Sequence, residues 1–158
     1  MPYKCNVLLI EDNPVDADFI REALNEIESN IQLDWVEDGE AGINFLFQHC
    51  YSRDADLLCP DLILLDLNLP KLSGREVLEA IKENPNTKHI PVIILTTSSD
   101  PRDIIDTYSL HANCFVTKPT DLDEFTAAVK SIREFWTRCA SLPSPDDCSF
   151  GRTPALEH

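Results

Sequence analysis

No apolar run in the 158-residue chain approaches the length that spans a bilayer, and the amino terminus carries no signal-peptide pattern. Neither a membrane partner nor export is expected. Basic residues are scarce too: 13 Lys and Arg stand against 28 Asp and Glu, for a formal charge of −15. That balance argues against nucleic acid, whose phosphates a binder must neutralise with Lys and Arg. Part of the acidity serves solubility. It also points to protein partners, or to ligands that bring cations with them. Paired cysteine spacing is missing as well. Cys5, Cys50, Cys59, Cys114, Cys139 and Cys148 form no CxxC and no metal-ligand pattern. Reduced thiols in a cytoplasmic protein are therefore expected, with Cys5 and Cys114 acting as small hydrophobes beside apolar segments.

What is present suits a soluble globular domain: 43% apolar and 26% charged residues, in a chain long enough for a core of its own. The chain centres on the stretch 61–70, DLILLDLNLP. Its run LILL is too short for an ordinary helix and reads as a strand buried on both faces. Pro70 and Ser73-Gly74 turn the following residues into a loop. Asp66 thus stands at the carboxyl end of a central strand, where open α/β sheets place their ligands. A charge there requires a counter-charge or a metal.

The rest of the chain alternates strand and helix without an internal repeat. CNVLLI (5–10) is a strand ended by Glu11-Asp12. Asp12 or Asn13 can cap the helix that follows, and Pro14 suits its first turn. Val15, Phe19, Ile20, Ala23, Leu24 and Ile27 recur at helical spacing. Ile31, Leu33 and Trp35 alternate as in an edge strand. Ala41, Ile43, Leu46, Phe47 and Cys50 form a second helical stripe, and residues 51–60 a long loop with no assigned role. Val77, Leu78 and Ile81 mark a third helix, ended by Asn84-Pro85-Asn86. PVIIL (91–95) is another apolar strand. A fourth helix opens at Asp100-Pro101 with Ile104, Ile105, Tyr108 and Leu110 turned inward. Residues 114–117 form a fifth strand. A fifth helix starts at Thr120 or Asp121 and carries Leu122, Phe125, Ala128, Val129, Ile132, Phe135 and Trp136. Five β-α units predict an α/β fold, a doubly wound parallel sheet, and fit the flavodoxin-like (βα)5 order 2-1-3-4-5, which periodicity alone leaves open. The domain is expected over residues 3–139. An irregular, proline-containing tail follows over 140–158, whose Leu156-Glu157-His158 reads as the start of an appended tag.

In this order Glu11, Asp12, Asp66, Thr96 and Lys118 all fall at strand carboxyl ends, on one edge of the sheet. Adjacent strands lie about 4.8 Å apart, so the three carboxylates can converge. Their mutual repulsion is on the order of 4 kcal/mol per close pair at surface-like dielectric, more than one ammonium offsets. A hard divalent cation such as Mg2+ fits, with the Asn68 backbone carbonyl as a further ligand. A carboxylate beside such a cation, with a lysine and a hydroxyl to hold phosphoryl oxygens, is a phosphoryl-transfer constellation. Taken singly, Glu11 or Asp12 is most often a helix cap, Thr96 a strand-end residue and Lys118 a surface charge. It is their conjunction on one edge that carries chemistry.

VLLIEDN, DLILLDLNLP, LTTS and FVTKP, in that order, resemble the four signatures of response-regulator receiver domains. The resemblance implies that Asp66 accepts a phosphoryl group from a phosphohistidine of a sensor histidine kinase. It also implies that Glu11, Asp12, Asp66 and the Asn68 carbonyl handle Mg2+. Thr96 would be the switch hydroxyl, Phe115 the switch aromatic and Lys118 the active-site lysine, its bond to Pro119 usually cis. Residues 110–125 with Glu134-Phe135-Trp136 are similar to regulators paired with cyanobacterial phytochromes, which implies a light-sensing kinase as donor.

Output is expected through the surface of helix four, strand five and helix five. A helix from 121 to 138 would run about 27 Å, against roughly 17–20 Å for a typical strand. Phe135 and Trp136 should then overhang the sheet and form an interface, most simply of a homodimer, unless Leu142, Pro143 or Phe150 of the tail covers them. Two rival functions differ in chemistry. An aspartyl-phosphate phosphohydrolase would place an acid two positions after its nucleophile, where this chain has Asn68. A receiver-like scaffold that takes no phosphate would have a damaged site, and this one is complete.

Overall fold

The computed structural model describes residues 4–25, 30–51 and 57–143. Ile27, residues 52–56 of the 51–60 loop, Phe150 and the tail beyond 143 lie outside the described residues. Strands β1 (Cys5–Ile10), β2 (Ile31–Val36), β3 (Leu62–Leu65), β4 (Val92–Thr96) and β5 (Cys114–Thr117) alternate with helices α1 (Pro14–Leu24), α2 (Gly39–Tyr51), α3 (Gly74–Glu83), α4 (Pro101–Ser109) and α5 (Leu122–Glu134). All pairings are parallel, as the alternation predicts, and the order is β2-β1-β3-β4-β5, the expected flavodoxin-like one.

Period-two alternation along the buried strands splits the core into two layers. Val7 and Leu9, Leu62 and Leu64, and Ile93 and Leu95 face α1 and α5, where Ile20, Leu24, Phe125, Val129 and Ile132 meet them. Leu8 and Ile10, Ile63 and Leu65, and Val92 and Ile94 face the opposite layer with Leu46, Val77, Leu78 and Ile81. The Cys5 thiol belongs to the first layer; burial and the nearby charge of Asp61 push it up to about 12.

Local chemistry sets where the helices begin. The Asn13 side chain accepts from the backbone N–H of Val15 and Asp16, with Pro14 in the first turn. Ser73 and Glu76 form a reciprocal capping box on α3. Asp100 and Asp121 cap α4 and α5.

Several apolar residues face outward instead of inward. Val15, Phe47, Ile105, Tyr108 and Leu122 are exposed, Phe47 and Ile105 the most, at 65% and 64%. In α2 the buried line runs through Gly39, Gly42, Leu46 and Cys50. This turns Phe47 out to stack on Tyr51. In α4 only Thr107 is fully buried. Its hydroxyl donates to the carbonyls of Asp103 and Ile104. The helix therefore presents its smallest central side chain to the sheet, and Ile105 and Tyr108 fall on the far side.

Two further expectations are corrected. Cys50 and Cys59 are joined by a disulfide, with Cα atoms 4.6 Å apart. Nothing in their spacing announces it, because the end of α2 and the approach to β3 are brought together by the sheet. Cys5, Cys114 and Cys139 are free. There is no cis peptide bond among the described residues, so the Lys118–Pro119 link is trans; the intrinsic preference between the two forms is only about 0.5–1 kcal/mol.

Candidate functional site

The register of the sheet assembles the site. Ile10 pairs with Leu65 across β1 and β3, so Glu11 and Asp66 emerge side by side, and the Asp66 N–H donates to the Ile10 carbonyl. Across β4 and β5, Thr96 pairs with Thr117, and the Lys118 N–H donates to the Thr96 carbonyl at 2.6 Å. Four strands thus deliver their chemistry to one rim. Glu11 is held from below, its N–H donating to the Val36 carbonyl and its own carbonyl accepting from the Trp35 indole.

Glu11, Asp12 and Asp66 each offer a carboxylate oxygen within 4.8 Å of the other two. Glu11 and Asp66 are buried, at 1% and 6% exposure, while Asp12 is exposed. Lys118 is buried too, and its ammonium donates to Glu11 Oε1 at 2.6 Å, Asp16 Oδ2 at 2.9 Å and Asp66 Oδ2 at 3.1 Å. The other Asp66 oxygen accepts the Asn68 N–H at 3.1 Å, and the other Glu11 oxygen accepts the Asn13 N–H. Burial pushes the Glu11 carboxyl up to about 8; the Asp66 charge adds to this, and the Lys118 ammonium opposes it. For Lys118 itself, burial pulls down, but hydrogen bonds to Asp16 and Glu11 and the charge of Asp66 win, raising it above the ordinary lysine range. Several carboxylates around one ammonium leave a negative balance, and oxygen-only donors at this separation suit a hard divalent cation.

Thr96 is fully buried at the end of β4, its oxygen accepting from the Ser98 N–H at 3.5 Å. Ser98 continues outward: its hydroxyl donates to Asp103 in α4, and its carbonyl accepts from Thr117. Arg75, second residue of α3, pairs with Asp103 and Asp106. Phe115 is half-buried against the layer that holds α3. Behind Asp66, Gly74 lies so close that a Cβ would stand 2.2 Å from the Asp66 carbonyl oxygen. Only glycine lets α3 start there.

A family model of the response regulator receiver domain matches residues 7–130. The chain belongs to that family. Response regulator Rcp1 of Synechocystis is 42% identical over 138 residues, covering 87% of this chain and 92% of Rcp1. A probable methanogenesis regulatory protein of Methanothrix harundinacea, FilR2, is 34% identical over 88% of both chains. Among solved structures, the phosphorylated cyanobacterial phytochrome response regulator RcpA superposes with a TM-score of 0.84 at 44% identity, over 90% of this chain and all of that one. The Mn2+-bound form of Rcp1 gives 0.81 at 41% identity, over 89% and 99%. As a receiver domain of a response regulator, the chain is a signalling protein rather than a catalyst of substrate turnover.

The receiver site contains a residue that sequence reading misses. Asp16 joins it through Lys118, 102 positions away. A first-turn acid in a helix already has a local explanation in the helix dipole, so its type and place gave no sign of the contact. Of the aromatic pair at the end of α5, Phe135 is exposed, whereas Trp136 is half-buried and packs with Leu142 against the α1–α5 layer. The chain widens there into a π turn, Phe135–Cys139.

Proposed function

We propose that this receiver domain accepts a phosphoryl group on Asp66 from a phosphohistidine of a phytochrome-type sensor kinase, in the cytoplasm, and signals through its α4–β5–α5 face. The observation that carries the reading is the buried Asp66 carboxylate flanked by Glu11, Asp12 and Lys118 at the sheet rim. One Asp66 oxygen attacks phosphorus. The phosphorus–nitrogen bond to the histidine breaks with its electron pair going to the imidazole, which takes up a proton from water. The product is an acyl phosphate and a neutral histidine. Lys118 and the Thr96 hydroxyl bind phosphoryl oxygens. Glu11, Asp12, Asp66 and the Asn68 carbonyl would hold Mg2+, which would supply the charge neutralisation that lets two anions meet. The kinase class is supported by the likeness to Rcp1 and RcpA, the latter a cyanobacterial phytochrome response regulator.

Ordering of Thr96 on the phosphoryl group pulls the loop that carries Ser98, and Ser98 holds Asp103 of α4. Phe115 turns inward as Thr96 moves. The face that changes is apolar at Ile105 and Tyr108, and the Tyr108 hydroxyl accepts from the Phe115 N–H. It suits a homodimer, with Phe135, 53% exposed, as the aromatic contact at the end of α5 and Trp136 shaping it from beneath. The charge of −15 argues against nucleic acid as a partner, and no helix among the described residues is long and apolar enough to cross a membrane.

Transfer of labelled phosphate from an autophosphorylated phytochrome-type kinase tests this reading. Wild-type chain takes up label while the kinase loses it, and Asp66→Asn takes up none. Equal labelling of Asp66→Asn would overturn the assignment. Rapid turnover of unrelated phosphate esters would favour a phosphohydrolase instead.

A further inference from the structure

We propose that Asp16 is a positioning residue for phosphoryl transfer, holding the Lys118 ammonium in place from α1 while the other two carboxylates on that ammonium are drawn away. The proposal rests on the assignment of Asp66 as phosphoacceptor. An ammonium has three N–H donors, and in this structure all three are taken, by Glu11, Asp16 and Asp66. The three acceptors do not share one fate. Asp66 gives up its carboxylate charge when it becomes an acyl phosphate, which frees one N–H for a phosphoryl oxygen. Glu11 belongs with Asp12 and Asp66 to the cluster suited to a cation, so its charge is shared on loading. Asp16 stands outside that cluster and is altered by neither event.

Position strengthens the case. Asp16 sits in the first turn of α1, which the Asn13 cap fixes through the N–H groups of Val15 and Asp16. Its carboxylate is 22% exposed, against 4% for the Lys118 side chain, so it reaches the ammonium from the mouth of the site. A lysine on a flexible four-carbon stem is otherwise free to follow whichever anion is nearest. Anchored on its outer side, the ammonium stays where the transferred phosphoryl group arrives.

A double-mutant cycle separates this role from that of an ordinary first-turn acid. Phosphorylation rates from acetyl phosphate at saturating Mg2+ are measured for wild type, Asp16→Asn, Asp16→Glu, Lys118→Met and the double variant Asp16→Asn with Lys118→Met. Mg2+ affinity is measured alongside by calorimetry. Asp16→Asn is expected to slow phosphorylation by about tenfold, in keeping with loss of a charged hydrogen bond. Asp16→Glu recovers most of the rate, Mg2+ affinity stays within about twofold, and Asp16→Asn causes no further loss in the Lys118→Met background. A wild-type rate for Asp16→Asn overturns the proposal. So does an equal fold loss in both backgrounds, which marks a helix-dipole role, or a matching fall in Mg2+ affinity, which marks a metal ligand. Labelling of Asp66→Asn at the wild-type rate overturns the phosphoacceptor assignment as well, and is recognised by that variant alone.

Discussion

Helices α3 and α4 flank the same site and are built in opposite ways. α3 buries Gly74, Val77, Leu78 and Ile81, begins with a capping box, and starts directly behind Asp66. α4 buries only Thr107 and is tied to its surroundings by polar links, Arg75 to Asp103 and Asp106, and Ser98 to Asp103. Packing on the α3 side is apolar and close, so a side chain has no second place to go. Polar links at partly exposed positions are worth little each and exchange partners readily. Asp66 is thus backed by a closely packed helix, and the element next to Thr96 is one that can shift.

Truncation is the most direct way to break that contrast. Leu78→Ala should cost about 3–4 kcal/mol, whereas Ile105→Ala should stay within about 0.5 kcal/mol, both read from urea unfolding. Equal costs would mean that α4 is packed as tightly as α3. The next largest effect concerns α2, which packs on α3 and ends at the Cys50–Cys59 disulfide. A closed loop of this length contributes about 2–3 kcal/mol on chain-entropy grounds. Cys50→Ser, or reduction, should lower the melting temperature accordingly while leaving Asp66 phosphorylation intact.

A smaller effect follows from Glu11, raised from 4.5 to about 8 in the folded state. Between those values the folded protein binds more protons than the unfolded one, so stability falls as pH rises through the window. In metal-free protein we expect the melting temperature to fall by several degrees from pH 5 to pH 8. Excess Mg2+ should reverse more of it at pH 8 than at pH 5. A flat profile would mean that Glu11 is ionised throughout. Smallest in energy is Arg75→Ala. At these exposures the ion pairs contribute about 0–1 kcal/mol. Yet amide exchange should quicken in α4 and not in α3, and uniform exchange would remove the distinction.

Much of this was legible in the sequence because it is local or periodic. Asn13, Asp100 and Asp121 carry capping chemistry beside proline or acidic first turns. The apolar strands and the β-α alternation predict a parallel sheet, and the parallel direction alone places Glu11, Asp66, Thr96 and Lys118 on one rim; the strand order is fitted by the alternation but not fixed by it. What escaped has two causes. Asp16 meets Lys118, 102 positions away, only because the sheet folds them together, and the Cys50–Cys59 link, with a sequence separation of 9, has no CxxC or metal-ligand spacing to mark it. The outward turn of α4 escaped for another reason: Ile105 and Tyr108 are apolar, and apolarity was read as burial, yet the helix packs through Thr107. The aromatic pair divides similarly, since a stripe predicts a face but not where the core beneath it ends.

The central claim, that the acidic rim is a phosphoryl-accepting site built around Asp66, is tested most directly by intact mass after incubation with acetyl phosphate. In Mg2+, the wild-type chain should gain one labile phosphoryl group. It should gain none with the metal chelated, and none as Asp66→Asn. An unmodified wild-type chain in Mg2+, or a modified Asp66→Asn chain, would contradict it.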